Sequence, residues 1–223
     1  MSAPLVLSFD LDDTLWPIEP VLKSAEDALW SWLHTQHPQV MRRHSAATVR
    51  DIRAQVALEH PDRSHDMTFL RHRTILKMFG SDAAAERHAD AAFEIFYTER
   101  NRVTLYEDTH DALVRLRRRY RLFALSNGNA DLERCGLGGL FEGHVTAIAA
   151  GAAKPDVRIF RHLLDAAGVE AARVLHIGDD PHADVQGAVS AGMQAIWLNR
   201  DSRAWPTGLA PPPRTIATLA EIL

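Results

Sequence analysis

The chain has 223 residues, 46% of them hydrophobic, with a formal net charge of −4. That is enough apolar material for a real core and argues against disorder, while the slightly acidic balance speaks against a nucleic-acid binder. The single cysteine, Cys135, excludes an intrachain disulfide, and no apolar run approaches the ~20 residues that span a bilayer. The N-terminus runs straight into a strand-like segment, with no basic region followed by an apolar stretch. A soluble cytoplasmic protein is expected, with no membrane and no nucleic acid among its partners; the oligomeric state is left open.

Pro4-Leu5-Val6-Leu7-Ser8 reads as a buried first strand. Asp10 and Asp12 follow where that strand ends. Residues at i and i+2 of an extended segment point the same way. Both carboxylates can therefore face one site beyond the strand's carboxyl end, where open α/β sheets place their ligands. Like charges so close need a cation or a shared proton to offset their repulsion.

From Pro17 to about Arg100 helical periodicity dominates, carried by Val21, Ala25, Leu29 and Leu33, then Val49, Ile52 and Val56, then Ile75, Met78 and Phe79, then Ala92 and Phe96. Breaks fall at His37-Pro38, His60-Pro61-Asp62 and Gly80-Ser81-Asp82. Ser81 or Asp82 suits the N-cap of the following helix. The pattern predicts an inserted four-helix bundle at 17–101.

After Asn101 strand and helix alternate. The expected helices are Asp108–Arg118, Asp156–Ala167 and Ala183–Ala191. The expected strands are Arg121–Ser126, His144–Ala149, Arg173–Gly178 and Gln194–Leu198. The basic run Arg115 to Arg121 suits a helix C-terminus. Pro206 and Pro211-Pro212-Pro213 make a stiff surface segment before a last helical turn at Leu219–Leu223. The fold class is α/β: a Rossmann-like three-layer core of five or more parallel strands, built from 1–16 and 102–223 and interrupted by the helical insert.

Other strand ends carry polar residues that complement Asp10 and Asp12. These are Ser126-Asn127-Gly128-Asn129, Lys154-Pro155 at a helix start, and Gly178-Asp179-Asp180 with Asp184 four residues beyond Asp180. In a parallel sheet they converge on one edge. An acidic cluster suits Mg²⁺, a hard cation that takes oxygen ligands. A hydroxyl, free backbone N–H groups and a lysine suit a phosphate. Taken singly, each segment is an ordinary turn or surface lysine; order and convergence give them meaning. The twelve histidines show no recognised zinc spacing with a third ligand, and His176 is expected to pack or hydrogen-bond beside the site. Cys135 reads as a small packed residue. Asp66, Arg71 and Arg73 lie near the break that opens the third helix of the insert. The two arginines, with Trp16, are candidates for selecting a polar or phosphate-bearing substrate.

The ordered set Asp10-Leu11-Asp12-Asp13-Thr14, Ser126, Lys154-Pro155 and Gly178-Asp179-Asp180 resembles the haloacid dehalogenase superfamily, in its phosphatase branch with a helical cap. Ser126-Asn127-Gly128-Asn129-Ala130, His176-Ile177-Gly178-Asp179-Asp180, Asp184-Val185 and Gly192-Met193-Gln194-Ala195 are similar to bacterial enzymes that dephosphorylate FMN and 5-amino-6-(5-phosphoribitylamino)uracil. The resemblance implies a Mg²⁺-dependent phosphatase of riboflavin metabolism, acting on a small-molecule phosphate ester. Asp10 would be the nucleophile that becomes an aspartyl-phosphate, and Asp12 the general acid and base. Ser126 and the Asn127 N–H would hold phosphoryl oxygens, and Lys154 would neutralise charge on the phosphoryl group and on Asp10. Asp10, the Asp12 backbone carbonyl and Asp179 would hold the metal, with Asp180 or Asp184 orienting its waters. Thr14 would fix its own loop by a local hydrogen bond, and the insert would close over the site. A phosphomutase or a haloacid dehalogenase of the same fold is the alternative within the family. From another class, a phosphate-sensing receiver-type signalling module also phosphorylates an aspartate, but it would lack the insert and the acid at position 12.

Overall fold

The structure is a computed structural model that describes residues 4–80 and 83–222. Six strands form a single parallel sheet: β1 (Val6–Phe9), β2 (Arg121–Ser126), β3 (Gly143–Thr146), β4 (Val174–Gly178), β5 (Gln194–Leu198) and β6 (Thr215–Ile216). Their order is β3-β2-β1-β4-β5-β6. The chain winds outward from β1 to one side and then to the other, so the order reverses beside β1, the place where such sheets open a crevice for ligands. Leu7 sits in register with Leu122 on one side and Leu175 on the other.

Strand residues are buried on both faces, as a parallel sheet covered on both sides requires. Val6, Phe123, Leu125, Val145, Val174, Ala195 and Trp197 share one core with Ile159, Phe160 and Leu163 of α8 (Val157–Ala167). Alternation turns Leu7, Phe9, Leu122 and Ile177 to the other face, also buried. The Asp156 carboxylate caps α8 by accepting from the Arg158 N–H at 2.9 Å, and Gly168 ends the helix at φ 64°.

Two local outcomes differ from the sequence reading. The strand expected at His144–Ala149 stops at Thr146. There the Thr146 hydroxyl accepts from the Ala149 N–H and starts a one-turn helix, Ala147–Ala150. Alanine-rich sequence with a threonine cap prefers that turn to an extended backbone. The helix expected at Ala183–Ala191 begins instead as a π-helical turn, Pro181–Gln186, followed by a short α-helix, Gly187–Ser190.

The chain divides into two compact units, Met1–Ile18 with Thr104–Leu223, and Glu19–Val103. The four helices expected in the insert are five α-helices among the described residues: α1 (Ile18–Gln36), α2 (Pro38–Arg43), α3 (Ala46–Glu59), α4 (Met67–Phe79) and α5 (Ala85–Arg100). Pro38 ends α1 and, tolerated at a first helical position, opens the short α2. Ala25, Leu33, Val40, Ile75, Phe79, Ala89 and Phe96 pack into a core of the insert's own. Ser45 and Thr48 form a capping box on α3. Ser81 and Asp82, the expected caps of α5, lie outside the described residues. No helix of the described residues is long and apolar enough to cross a membrane.

Candidate active site

A cavity of about 180 Å³ opens at the carboxyl ends of β1, β2 and β4. Its lining includes Asp10, Asp12, Ser126, Asn127, Lys154, Asp179 and Asp184. Four segments far apart in sequence deliver these groups to one place, because the strands of a parallel sheet end on the same edge.

Lys154 is the hub. Its ammonium donates to Asp10 Oδ1 at 2.5 Å, to Asp184 Oδ1 at 2.7 Å and to the Leu125 carbonyl at 2.9 Å, so all three protons are placed. Both side chains of the Lys154–Asp184 pair are 2% exposed, which leaves solvent little part in screening them. The segment carrying Lys154 is held by Asn127. Its Oδ1 accepts from the Lys154 N–H at 2.7 Å and its amide nitrogen donates to the Lys154 carbonyl at 3.0 Å. The Asn127 side chain is thus engaged with the protein, and its backbone N–H points to a ligand role. Ser126 Oγ accepts from the Gly128 N–H at 2.9 Å, which leaves the hydroxyl proton to donate.

The carboxylates are in tension. Burial, reinforced by the Asp184 and Asp179 charges, pushes Asp10 well above the usual carboxylate range despite Lys154. Burial and Asp184 push Asp179 up to about 6 despite Arg203. Asp184 is buried too, yet Lys154 and His176 hold it below the ordinary value. For Lys154 itself burial opposes the charge, and Asp10 and Asp184 overcome it and raise the pKa. One carboxylate oxygen from each of Asp10, Asp179 and Asp184 lies within 4.8 Å of the others. Hard oxygen donors in that proximity, two of them held back from ionising, fit a divalent cation such as Mg²⁺.

The two acids after Asp179 part company. Asp180 turns its carboxylate to the N–H groups of His182 and Ala183 at 2.8 and 2.7 Å, as a helix cap. Asp184 faces the cavity edge and accepts the Asp180 N–H at 2.9 Å. The π-helical turn causes the split. An extra residue per turn swings position 184 back over Gly178, where an added Cβ would lie 2.3 Å from the Asp184 carboxylate.

Asp12 accepts from the indole N–H of Trp16 at 2.9 Å. Trp16, a candidate for selecting substrate, is 0% exposed and sits behind Asp12. Thr14, expected to bond locally, reaches across to Asp179 Oδ1 at 3.5 Å. The local work falls to Asp13, at φ 59°, whose carboxylate accepts the Ile18 N–H at 2.9 Å. In the insert, Asp66 caps α4 through the Phe69 N–H and pairs with Arg63. Arg71 lies 3.8 Å over the Phe96 ring and 3.4 Å from Glu26, and burial lowers its pKa to about 10. Arg73, on the same helix, is half-buried. These contacts satisfy Asp66 and Arg71 within the insert.

Residues that motif reasoning did not reach complete the site. Trp197 Nε1 and Arg203 Nη2 both donate to the Asp179 carbonyl at 2.8 Å, and Arg203 also meets Asp179 Oδ2 at 3.0 Å. Arg200 donates to the Thr14 carbonyl at 3.1 Å and to Asp108 at 3.0 Å. The available signal was the polar run Asn199-Arg200-Asp201, which leaves β5 on the same sheet edge. Beneath the floor, Ser8, His176 and Asp184 are joined by hydrogen bonds of 3.0 and 3.2 Å.

The family model for haloacid dehalogenase-like hydrolases matches residues 5–192. The chain is 33% identical to 5-amino-6-(5-phospho-D-ribitylamino)uracil phosphatase YigB of Escherichia coli over 92% of its own length and 89% of that protein's. It is 35% identical to a phosphoserine phosphatase of Thermus thermophilus over 60% of this chain and 56% of that one. Among solved structures it is similar to a 2-haloacid dehalogenase from Pseudomonas syringae pv. tomato, at a TM-score of 0.93 and 34% identity, covering 98% of this chain and 96% of the other. With the parallel sheet and its converging motifs, these similarities establish the family: the chain is an enzyme that belongs to the haloacid dehalogenase-like hydrolases.

Proposed function

We propose that the chain is a Mg²⁺-dependent phosphomonoesterase that works through an aspartyl-phosphate on Asp10. The observation that carries this reading is the meeting of Asp10, Lys154 and a second acid, Asp12, beside a three-carboxylate cluster in one small cavity.

In the first half-reaction an Asp10 oxygen attacks phosphorus and the bond to the ester oxygen breaks. Asp12, oriented by Trp16, delivers a proton to that leaving oxygen. In the second, water attacks the phosphorus held on Asp10, Asp12 takes the water's proton, and the Asp10–phosphorus bond breaks to release phosphate and free Asp10. The Ser126 hydroxyl and the Asn127 N–H would hold phosphoryl oxygens, and Lys154, already against Asp10, would meet the phosphoryl charge. Mg²⁺, held by Asp10, Asp179 and the Asp12 carbonyl, would offset the repulsion between carboxylate and phosphate and stabilise charge developing on the phosphoryl oxygens. Asp184 would support that set from behind Lys154.

FMN and 5-amino-6-(5-phosphoribitylamino)uracil are the first substrates to test, the second supported by the likeness to YigB along most of both chains. On this proposal the enzyme would act in riboflavin metabolism, in the cytoplasm. A second reading, hydrolytic dehalogenation of a 2-haloacid by the same aspartate, draws on the similarity to the Pseudomonas syringae protein. That chemistry needs neither a metal nor an acid at position 12, so the acidic cluster and the Trp16-oriented Asp12 favour the phosphatase.

The test uses the intact chain and its Asp10→Asn variant with p-nitrophenyl phosphate, with Mg²⁺ or with EDTA, and in parallel with 2-chloropropionate. Phosphate release that needs both Mg²⁺ and Asp10 is expected. Turnover retained in Asp10→Asn rejects the nucleophile, and metal-independent chloride release supports the second reading.

A further inference from the structure

We propose that Ser8 and His176 act as a buried positioning pair for Asp184 and, through it, for Lys154; the inference rests on the phosphatase reading above for its activity readout. Ser8 on β1 and His176 on β4 are partners in the sheet register, and both are 0% exposed. The imidazole stands edge-on to Phe160, with ring centroids 5.7 Å apart, so packing fixes its plane. Nδ1 lies 3.0 Å from Ser8 Oγ and Nε2 lies 3.2 Å from Asp184 Oδ1.

The direction of these bonds follows from chemistry. A carboxylate only accepts, and Asp184 Oδ1 already takes a proton from the Lys154 ammonium at 2.7 Å. Nε2 must then carry the ring proton. Nδ1 of the neutral ring is left as an acceptor, and the Ser8 hydroxyl must donate to it. The result is a single run of donors, Ser8 to His176 to Asp184, met from the other side by Lys154 donating to the same Asp184 oxygen at 2.7 Å and to Asp10 at 2.5 Å. Asp184 Oδ2 accepts the Asp180 N–H. Both oxygens of Asp184 are thereby fixed, and the ammonium between Asp184 and Asp10 has a defined place. An apolar residue at 176 could fill the same volume among Phe160, Val174 and Val185, but it would leave Asp184 Oδ1 with Lys154 as its one remaining side-chain donor. The ring proton is then what distinguishes a positioning residue from a packing residue.

The experiment compares the full chain with His176→Leu, His176→Gln and Ser8→Ala in Mg²⁺. It reads kcat and KM for p-nitrophenyl phosphate, Tm, and the ¹⁵N signature of the His176 ring. A neutral ring with its proton on Nε2 is expected. His176→Leu should lose about ten-fold or more in kcat, with KM within about two-fold and Tm little changed, since one hydrogen bond to a charged group is removed while volume is kept. Gln, whose amide places a donor near Nε2, should recover most of the loss, and Ser8→Ala should lose about three-fold. Unchanged kcat in His176→Leu, a Gln variant no better than Leu, or a ring proton on Nδ1 overturns the proposal. Should His176→Leu fail to fold, Gln and Ser8→Ala decide it: wild-type kcat in Ser8→Ala together with loss in Gln overturns it. Should the unmodified chain show no phosphatase activity, that reading falls, while the ring tautomer still tests the pair.

Discussion

The indole of Trp16 and the carboxylate of Asp12 are four residues apart and joined at 2.9 Å, with the indole sealed from solvent. Trp16→Phe keeps an aromatic ring, though a smaller one, and removes the N–H. A fall in kcat of about 10-fold to 100-fold with little change in KM is expected, the size of one hydrogen bond to a charged group. Asp12→Asn removes the proton carrier itself and should cost about 10²- to 10⁴-fold in kcat. If Trp16→Phe instead raised KM and left kcat alone, the indole would belong to the substrate surface after all. Asp10, Ser126 and Asp179 stand at strand ends and Lys154 at a helix start, each beside residues that punctuate structure, which drew attention to them in the sequence. For Trp16, sequence shows that an aromatic is near a motif but not which side of the loop it occupies. The positive φ of Asp13 turns that loop.

Among the elements, the turn at Pro181–Gln186 separates Asp180 from Asp184. Helical spacing gave no means to tell which of the two joins the carboxylate cluster with Asp10 and Asp179, because a π-turn is a departure from 3.6-residue periodicity that composition does not announce. Asp180→Ala removes the cap and should lower stability by about 1 kcal/mol, with Asp180→Asn nearer the parent, measured by urea unfolding. Gly178→Ala is expected to be far more harmful to catalysis, since its Cβ would collide with the Asp184 carboxylate. Activity equal to the parent in Gly178→Ala would show that this turn has room to move. Strands and long helices were readable from apolar periodicity. The two-residue β6 and the short α2 were not, being too brief to show any period.

At the scale of the whole molecule, the site stores electrostatic cost that a bound cation would relieve. A carboxyl whose folded pKa is raised holds its proton longer in the folded state than in the unfolded one. Stability therefore falls as pH rises from the ordinary value of 3.8 toward about 6 for Asp179, and the cost is fully present above that. Mg²⁺ should raise Tm more at pH 7.5 than at pH 5.5, and its affinity, read by calorimetry, should weaken as pH drops through 6, where protons compete for Asp179. A Tm shift equal at both pH values would contradict this electrostatic picture. The sheet order that brings the motifs together follows from alternating strand and helix, whereas the Asn127 clasp on Lys154 and the Arg203 contact with Asp179 arise between loops, which no local pattern encodes.

Whether phosphorus is ever bonded to Asp10 can be asked directly. The enzyme with Mg²⁺ and a phosphate ester labelled in its phosphoryl group, quenched in acid within the first turnover and digested to peptides, should carry the label on the peptide containing Asp10. Label on another residue, or rapid phosphate release with none on the protein, would contradict an aspartyl-phosphate enzyme.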